Sequence, residues 1–270
     1  MPQTIPVFVI NLDRRTDRRE RIAEHLSSRG VIWHRVSGCD AASVPEAEIA
    51  GIIAGVGPLG RLGLGDRACT VSHVLAWKAF LGSDARHALF LEDDIYLAED
   101  IAATLATEAW VPSANHAVKL EKFNAGVSRL LLGPVVGQTP RGRDIRPMRS
   151  RHVGGGAYIL SRAGAETCLS FQGQMRMPVD HFLFNNTLSP VFQALKPAII
   201  VPGMATQRHY AYESDIAPYG KAIRPTGWRK RLQTLRRGLA EVNQLPRQLF
   251  ELASGRASVM DVTFSETAPE

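Results

Sequence analysis

Three consecutive carboxylates, Glu92-Asp93-Asp94, directly follow the apolar run 87–91. Like charges this close together repel one another unless a cation or an arginine compensates them. A hard cation such as Mn²⁺ or Mg²⁺ prefers oxygen ligands, and in a transferase it would neutralise charge on a leaving diphosphate. A charged strand exit with solvated carboxylates is the alternative, and the run by itself does not decide between the two.

A second polar segment, residues 11–19, follows the first apolar run and carries four arginines. A helix beginning there would present free backbone amides, which favour anions. The guanidinium group matches diphosphate oxygens, and Asp13 and Asp17 could hold it in place. An exposed charged helix is the alternative, and we favour it for Arg19 and Arg21.

Asp180, in Met177-Pro178-Val179-Asp180-His181, is the candidate general base for an attacking hydroxyl group. Capping of the following helix-like run is the alternative role for this aspartate. His181 or His209 could complete a metal shell, although a lone histidine is more often structural.

Two further motifs suggest contacts to a ligand. Ser72 and His73 are adjacent on a predicted helix, where neighbours point in different directions, so packing with donor contact is favoured over a nucleophilic pair. Residues 154–156 are three glycines without the Lys-Ser or Lys-Thr of a Walker loop. These glycines would let the backbone approach a sugar or metal closely.

The predicted elements bring these residues to one edge of a sheet. Apolar β-rich runs predict strands at 7–10, 31–36, 87–91, 130–132, 156–160 and 198–201, and apolar spacing predicts helices at 45–54 (capped by Ser43), 68–81 and 162–171. This alternation is typical of an α/β sheet with helices on both faces, which binds ligands at the carboxyl ends of its strands. The basic segment 140–152 is predicted to be a solvated connection.

Composition narrows the class of protein. With 270 residues, 45% of them hydrophobic and 21% charged, the chain is typical of a globular protein. Its net charge of +6 favours phosphate, acidic glycan or a membrane surface over a cationic ligand. The three cysteines are expected to be reduced and structural. Neither a signal peptide nor a run of roughly 20 apolar residues is found, so a cytoplasmic protein is expected.

The C-terminal part, residues 221–270, is predicted to be a basic helical extension of a catalytic domain at 1–220. Trp228, Leu232, Leu235 and Leu239 share one helical face, with arginines elsewhere. This pattern predicts peripheral contact with anionic lipid on the inner face of the cytoplasmic membrane, and a helix packed on the domain is the alternative. Residues 254–270 are expected to be a frayed tail.

Five blocks of the sequence resemble glycosyltransferase family 25, the family of lipooligosaccharide galactosyltransferases and collagen galactosyltransferase-like proteins. They occur in that family's order between about residues 5 and 210, namely 9–15 with Arg18-Arg19, 69–73, 91–94, 155–162 and 178–180. Residues 65–68 depart from the Gly-Glu-Ile-Gly type of run that is common in the family. One block alone would be a weak signal, whereas five in order are specific.

The resemblance implies a GT-A-like, Rossmann-type mixed sheet flanked by helices and a UDP-sugar donor, UDP-galactose being the commonest. It also implies a Mn²⁺ or Mg²⁺ ion and inverting transfer of a hexose to a glycan acceptor such as a lipopolysaccharide core, which can be lipid-linked; no nucleic acid partner is expected. The resemblance makes Asp94 the first candidate for a direct metal ligand. For Asp93 it leaves contact with the donor ribose as the alternative to metal binding.

The predicted site has Asp180 as base, Glu92, Asp94 and His209 as metal ligands, and the substrate-binding residues Asn11, Asp13, Arg14, Arg15, Arg18, Ser72, His73, Asp93, Gly155 and Gly156. Two hypotheses compete with the transferase. One is a different metal-dependent nucleotide-processing enzyme, and the other is a non-catalytic module that binds a membrane surface.

Overall fold

The computed structural model describes residues 3–122, 128–207, 215, 216, 219, 238, 239 and 242–269. Its strands are β1 (Val7–Asn11), β2 (Trp33–Ser37), β3 (Val56–Gly57), β4 (Gly60–Arg61), β5 (His87–Glu92), β6 (Ile95–Leu97), β7 (Ala117–Lys119), β8 (Ser128–Leu132), β9 (Gly137–Gln138), β10 (Asp144–Pro147), β11 (Ala157–Ser161), β12 (Ala198–Val201), β13 (Ala205–Gln207) and β14 (Ser258–Val262). Its helices are α1 (Thr16–Ser27), α2 (Glu46–Ala50), α3 (Leu64–Leu81), α4 (Ile101–Leu105), α5 (Arg162–Leu169), α6 (Val179–Phe184), α7 (Phe192–Leu195) and α8 (Leu245–Ala253).

An eight-stranded mixed sheet lies at the centre, in the order β2-β1-β5-β11-β7-β12-β10-β9. Strands β2, β1 and β5 are parallel, β11 runs antiparallel to both of its neighbours β5 and β7, and β7 is parallel to β12. Since β7 is antiparallel to β11, it runs in the direction of β5 and ends at the same edge of the sheet. This mixed α/β architecture, flanked by helices, confirms the predicted fold class.

Both faces of the central strands are buried, which explains their continuous apolar runs. In β1, Phe8 and Ile10 belong to the core beneath α3, whereas Val7 and Val9 belong to the core beneath α1. Side chains alternate between the two faces of a strand, so each apolar residue of β1 has a core to enter.

Helix α1 turns one arginine toward the sheet. Its buried residues are Arg18, Ile22 and Leu26, spaced four residues apart, so they share one face of the helix. The apolar spacing of Ile22 and Leu26, extended back by one turn, therefore places Arg18 over the ends of β1 and β5.

The C-terminal residues differ from the expected tail. Strand β14 pairs antiparallel with β8, from Ser258 opposite Leu132 to Val262 opposite Ser128, and Val262 is fully buried. The expectation of a frayed tail was wrong, because alternate residues of this strand can contribute to the core. The predicted helical face at Trp228, Leu232 and Leu235 lies outside the described residues.

Smaller expectations also changed. Helix α2 begins after Pro45 rather than at a Ser43 cap, and segment 140–152 contributes β10 to the main sheet.

The cysteines Cys39, Cys69 and Cys168 are free, as expected. Within the described ranges, every helix is too short or too polar to cross a bilayer.

Candidate active site

The acidic run lies where three strands of the sheet meet at one edge. Glu92 ends β5 beside Ile10 of β1, and its backbone N–H donates to the carbonyl of Gly156, just before β11, at 2.9 Å. Parallel strands end at the same edge, which is the usual ligand position in α/β folds. The predicted placement of the acidic run at a strand end is therefore confirmed.

Asp93 is compensated by groups of the protein itself. Its Oδ2 accepts from Asn11 Nδ2 at 2.7 Å, and its Oδ1 lies 3.0 Å from Arg18 Nη1. Arg21 donates to the Asp93 carbonyl and, at 2.8 Å, to that of Ile95. The expectation that Arg21 is an exposed helix residue was wrong, because its side chain extends from α1 to the backbone that follows β5.

The described protein groups stabilise the ionised forms of Glu92 and Asp94 poorly. Burial raises the pKa of Glu92 to about 8, with a further contribution from Glu121, and burial followed by repulsion from Glu92 raises the pKa of Asp94 to about 7. Glu92 Oε2 accepts from Gln207 Nε2 at 3.1 Å. Asp94 Oδ1 is buried with no hydrogen-bond partner among the described residues, and Asp94 Oδ2 is 3.9 Å from Arg18 Nη1.

These observations fit a hard divalent cation. Carboxylate oxygens such as those of Glu92 and Asp94 are the ligands that Mg²⁺ and Mn²⁺ prefer, and Asp94 Oδ1 has no hydrogen-bond partner among the described residues. Ligand atoms of Cys69, His73 and Glu92 also lie within 4.8 Å of one another, but burial raises the pKa of the Cys69 thiol and keeps it protonated. The predicted ligand His209 lies outside the described residues.

His73 connects Glu92 to the core. Its Nδ1 lies 2.7 Å from the Tyr158 hydroxyl, its Nε2 lies 3.3 Å from Glu92 Oε1, and its ring is fully buried. Burial lowers its pKa to about 4, so the ring is neutral at neutral pH. Ser72 is engaged likewise, accepting from the backbone of Cys39 at 2.8 Å. Both residues line a pocket that also contains Arg18, Glu92 and Asp93 in its wall, and their contact with a donor stays a prediction.

Arg14, Arg15 and Arg18 converge on one carboxylate that the sequence did not reveal, that of Asp215. Arg14 Nη1 lies 2.8 Å and Arg18 Nη2 3.5 Å from its oxygens, and Arg15 is bonded to the same group. Asp215 also lines the pocket next to Asn11 and Glu92. These three arginines, which we call the arginine cluster, thus hold one carboxylate together, and their contact with a donor stays a prediction.

The other aspartates of this segment have different roles. Asp17, which was expected to hold an arginine of this segment in place, holds Arg15 through two hydrogen bonds, of 2.9 and 2.7 Å. Asp13 instead pairs with Arg35 and Ser37 on an exposed surface. The structure therefore does not bring Asp13 together with the acidic run.

Asp180 lies on the side of the site formed by the glycines. Its Oδ2 is 3.4 Å from the backbone N–H of Gly154, and a Cβ atom added to Gly155 would lie 3.7 Å from its Cα. Helix α6 is capped at Pro178 without any side-chain bond, so Asp180 is not its N-cap. Gly156 packs against Ile95 and Gln207, where a Cβ atom would lie within 2.7 Å of both side chains.

Lys119 and Glu121 are site residues that the sequence analysis missed. Both side chains are fully buried at the end of β7, and Glu121 raises the pKa values of Glu92 and Asp94. The sequence does contain a signal for them. A lysine and a glutamate two residues apart lie on one face of an otherwise apolar strand, where charged side chains are unusual. Only the antiparallel pairing of β7 with β11 reveals that this face adjoins the acidic run.

The sequence matches a family of glycosyltransferases and individual proteins of oligosaccharide biosynthesis. Residues 4–183 match the model of the glycosyltransferase family 25 (LPS biosynthesis protein). The chain is 27% identical over 220 residues to the lacto-N-neotetraose biosynthesis glycosyltransferase LgtB of Neisseria gonorrhoeae, covering 77% of this chain and 76% of that protein. It is 24% identical over 222 residues to the lipooligosaccharide biosynthesis protein lic2B of Haemophilus influenzae, covering 77% and 78%.

A solved structure, a glycosyltransferase involved in the glycosylation of the major capsid of PBCV-1, aligns with a TM-score of 0.42 and 12% identity. It covers 79% of this chain and 96% of that one. The family match covers well over half of the chain. It contains the acidic run, the arginine cluster and Asp180, whereas Asp215 lies beyond the matched residues. The chain therefore belongs to glycosyltransferase family 25.

Proposed function

We propose that this protein transfers a hexose, with galactose as the first candidate, from a UDP-sugar to a hydroxyl group of a lipopolysaccharide or lipooligosaccharide core, inverting the anomeric carbon. Family membership supports glycosyl transfer, and the names of the relatives support the class of acceptor. The observation that carries the proposal is a pocket lined by Arg18, Glu92 and Asp93. The buried Asp94 Oδ1 has no hydrogen-bond partner among the described residues, and Asp180 is close enough to Glu92 to raise its pKa.

The arginine cluster is suited to the donor diphosphate. Guanidinium groups bind phosphate oxygens through paired, charge-assisted hydrogen bonds. In this structure the Asp215 carboxylate receives those bonds from Arg14, Arg15 and Arg18. A diphosphate entering the same position replaces Asp215, since both anions together would leave excess negative charge beside Asp93.

Asp180, beside the glycines that precede β11, is the proposed proton acceptor. As the acceptor oxygen bonds to the anomeric carbon, the bond from that carbon to the diphosphate breaks and the hydroxyl proton passes to Asp180. Asp180 is half-buried, and its carboxylate is oriented by the backbone of Gly154. Glu92 and Asp94 would hold a divalent ion, which would neutralise charge on the leaving UDP.

The surface of α8 is suited to contact with the membrane that carries a lipid-linked acceptor. Leu249 and Phe250 are 61% and 59% exposed. Arg247 on the same helix is paired with Glu251 at 3.1 Å, and Arg256, just after the helix, adds positive charge beside Phe250. Exposed apolar side chains beside basic ones favour the surface of an anionic bilayer.

The test measures release of UDP, GDP or CMP from a panel of nucleotide sugars, with and without Mn²⁺ and a core oligosaccharide, for the wild type, Asp94→Asn and Glu166→Gln. Glu166 is an exposed carboxylate of α5 and serves as the control. We expect release from one UDP-hexose only when oligosaccharide and metal are both present, abolished in Asp94→Asn and retained in Glu166→Gln. Release that needs no acceptor would instead indicate a nucleotide-processing hydrolase.

A further inference from the structure

A buried ion pair lies beneath the candidate active site. Lys119 Nζ is 3.4 Å from Glu121 Oε2, and both side chains are fully excluded from solvent. Burying two charges costs free energy that their mutual attraction only partly offsets, and an apolar pair of similar size is often at least as stable. Stability alone therefore does not explain the pair, and the other groups that it binds are informative.

Both members of the pair bind residues 153–156, which we call the glycine segment. Lys119 Nζ donates to the carbonyl of Val153 at 3.1 Å and to that of Gly154, whereas Glu121 Oε2 accepts from the N–H of Gly156 at 2.9 Å. The segment presents two carbonyl acceptors and one N–H donor to the interior, so it needs a buried donor as well as a buried acceptor as partners. The ion pair satisfies this need, and no apolar pair could.

The glycine segment fits against Glu121 with no space to spare. Gly154 has a φ of +93°, and a Cβ atom there would lie 2.7 Å from Glu121 Oε2. Glycine adopts this backbone conformation without the strain that other residues suffer. The carboxylate beneath Gly154 therefore limits how closely this part of the segment can approach the interior.

The same segment contacts both halves of the site. The N–H of Gly154 lies 3.4 Å from Asp180 Oδ2, and the carbonyl of Gly156 accepts from the backbone of Glu92 at 2.9 Å. A shift of the segment would change the distance between the proton acceptor and the acidic run. Misplacement of reacting groups by about 1 Å can cost on the order of 100-fold in rate.

We propose that Lys119 and Glu121 are positioning residues, which set the geometry between Asp180 and Glu92 by holding the glycine segment from below. This inference rests on the proposed role of Asp180 as the base. Neither residue touches substrate, because both are fully buried beneath the segment.

The test compares Lys119→Met and Glu121→Gln with Asp100→Asn. Asp100 pairs with the fully buried Arg143 at 2.7 Å and makes no contact with the glycine segment in the described structure, so it is a control for loss of a buried ion pair. We expect Lys119→Met to lower kcat by roughly 10- to 100-fold with KM for the donor unchanged. Glu121→Gln keeps an oxygen for Gly156 and should lose less, and Asp100→Asn should lower the melting temperature alone.

A double substitution shows whether the effect passes through Asp180. In an Asp180→Asn background, Lys119→Met should lower the residual rate by much less than it lowers the wild-type rate, since one of the two groups being positioned is already absent. An equal loss of kcat in both backgrounds would overturn the proposal. So would a loss of kcat in Asp100→Asn as large as that in Lys119→Met.

Hydrogen exchange gives a readout that does not depend on the reaction. The backbone amides of residues 154–156 should exchange faster in Lys119→Met, or in Glu121→Gln where Lys119→Met fails to fold, but not in Asp100→Asn. Unchanged protection in the folded variants would refute the inference whatever the activity. If the wild type transfers no sugar, the proposed function fails while the exchange data still report on the ion pair.

Discussion

The side-chain nitrogen Nδ2 of Asn11 lies 2.7 Å from Oδ2 of Asp93, so the last residue of β1 directly holds the middle carboxylate of the acidic run. Asn11 also donates to the carbonyl of Arg15, and its Oδ1 accepts from Arg35. One buried amide thus connects the acidic run to the arginine cluster, and changing it should affect both.

Asn11→Asp should weaken UDP binding in the presence of Mn²⁺ by about tenfold or more, because it replaces a buried hydrogen-bond donor with a second carboxylate facing Asp93. Isothermal titration calorimetry measures the effect. Asp13→Asn is the control, since Asp13 belongs to the same segment but its side chain is 74% exposed. Equal affinities for the wild type and Asn11→Asp would show that Asp93 needs no such donor.

The raised pKa values of Glu92, about 8, and Asp94, about 7, predict a dependence of stability on pH. Each group retains its proton longer in the folded chain, so its contribution is present below the unfolded pKa and is lost as the pH rises through the folded value. A cation that binds the ionised carboxylates should offset this loss. We expect Mg²⁺ to raise the melting temperature more at about pH 8.5 than at about pH 6.

Glu92→Gln removes one of these titrations and should reduce the dependence of the Mg²⁺ effect on pH, whereas Glu166→Gln should leave it intact. Differential scanning fluorimetry across the pH range provides the measurement. An equal rise in melting temperature at every pH would contradict a metal site at Glu92 and Asp94.

Asp215→Ala should tighten binding of UDP by about tenfold, because it removes an internal anion that competes for three guanidinium groups. Each arginine keeps a second carboxylate partner, namely Asp40, Asp17 or Asp93, so the cluster need not rearrange. Asp17→Asn is the matched control, since Asp17 pairs with Arg15 from the solvent side. Weaker binding in Asp215→Ala would show instead that Asp215 orients the arginines.

Replacing both Leu249 and Phe250 by serine should decrease cosedimentation with vesicles containing anionic lipid, because these side chains are the most exposed apolar groups of α8. The control replaces Val135 and Val136, which are 42% and 43% exposed between β8 and β9. Binding that is the same for both double variants would exclude α8 as the membrane contact. These substitutions preserve β14, which a C-terminal truncation would remove.

The sequence by itself determined the central strands β1 and β5 and the polar residues that directly follow them. Continuous apolar runs require burial on both faces, so β1 and β5 were recognisable as central strands, and polar groups directly after them had to lie at an edge of the sheet. The four-residue spacing of Ile22 and Leu26 likewise determined which face of α1 is buried.

Tertiary structure alone decided which charges meet. Asp93 is bonded to Asn11 across 82 residues, and Arg15 to Asp215 across 200, and no local periodicity encodes such separations. The roles of Lys119 and Glu121 depended in the same way on the antiparallel pairing of β7 with β11. Local spacing specifies the face on which a side chain lies, whereas its pKa and its partners depend on groups that only the folded chain brings within a few ångströms.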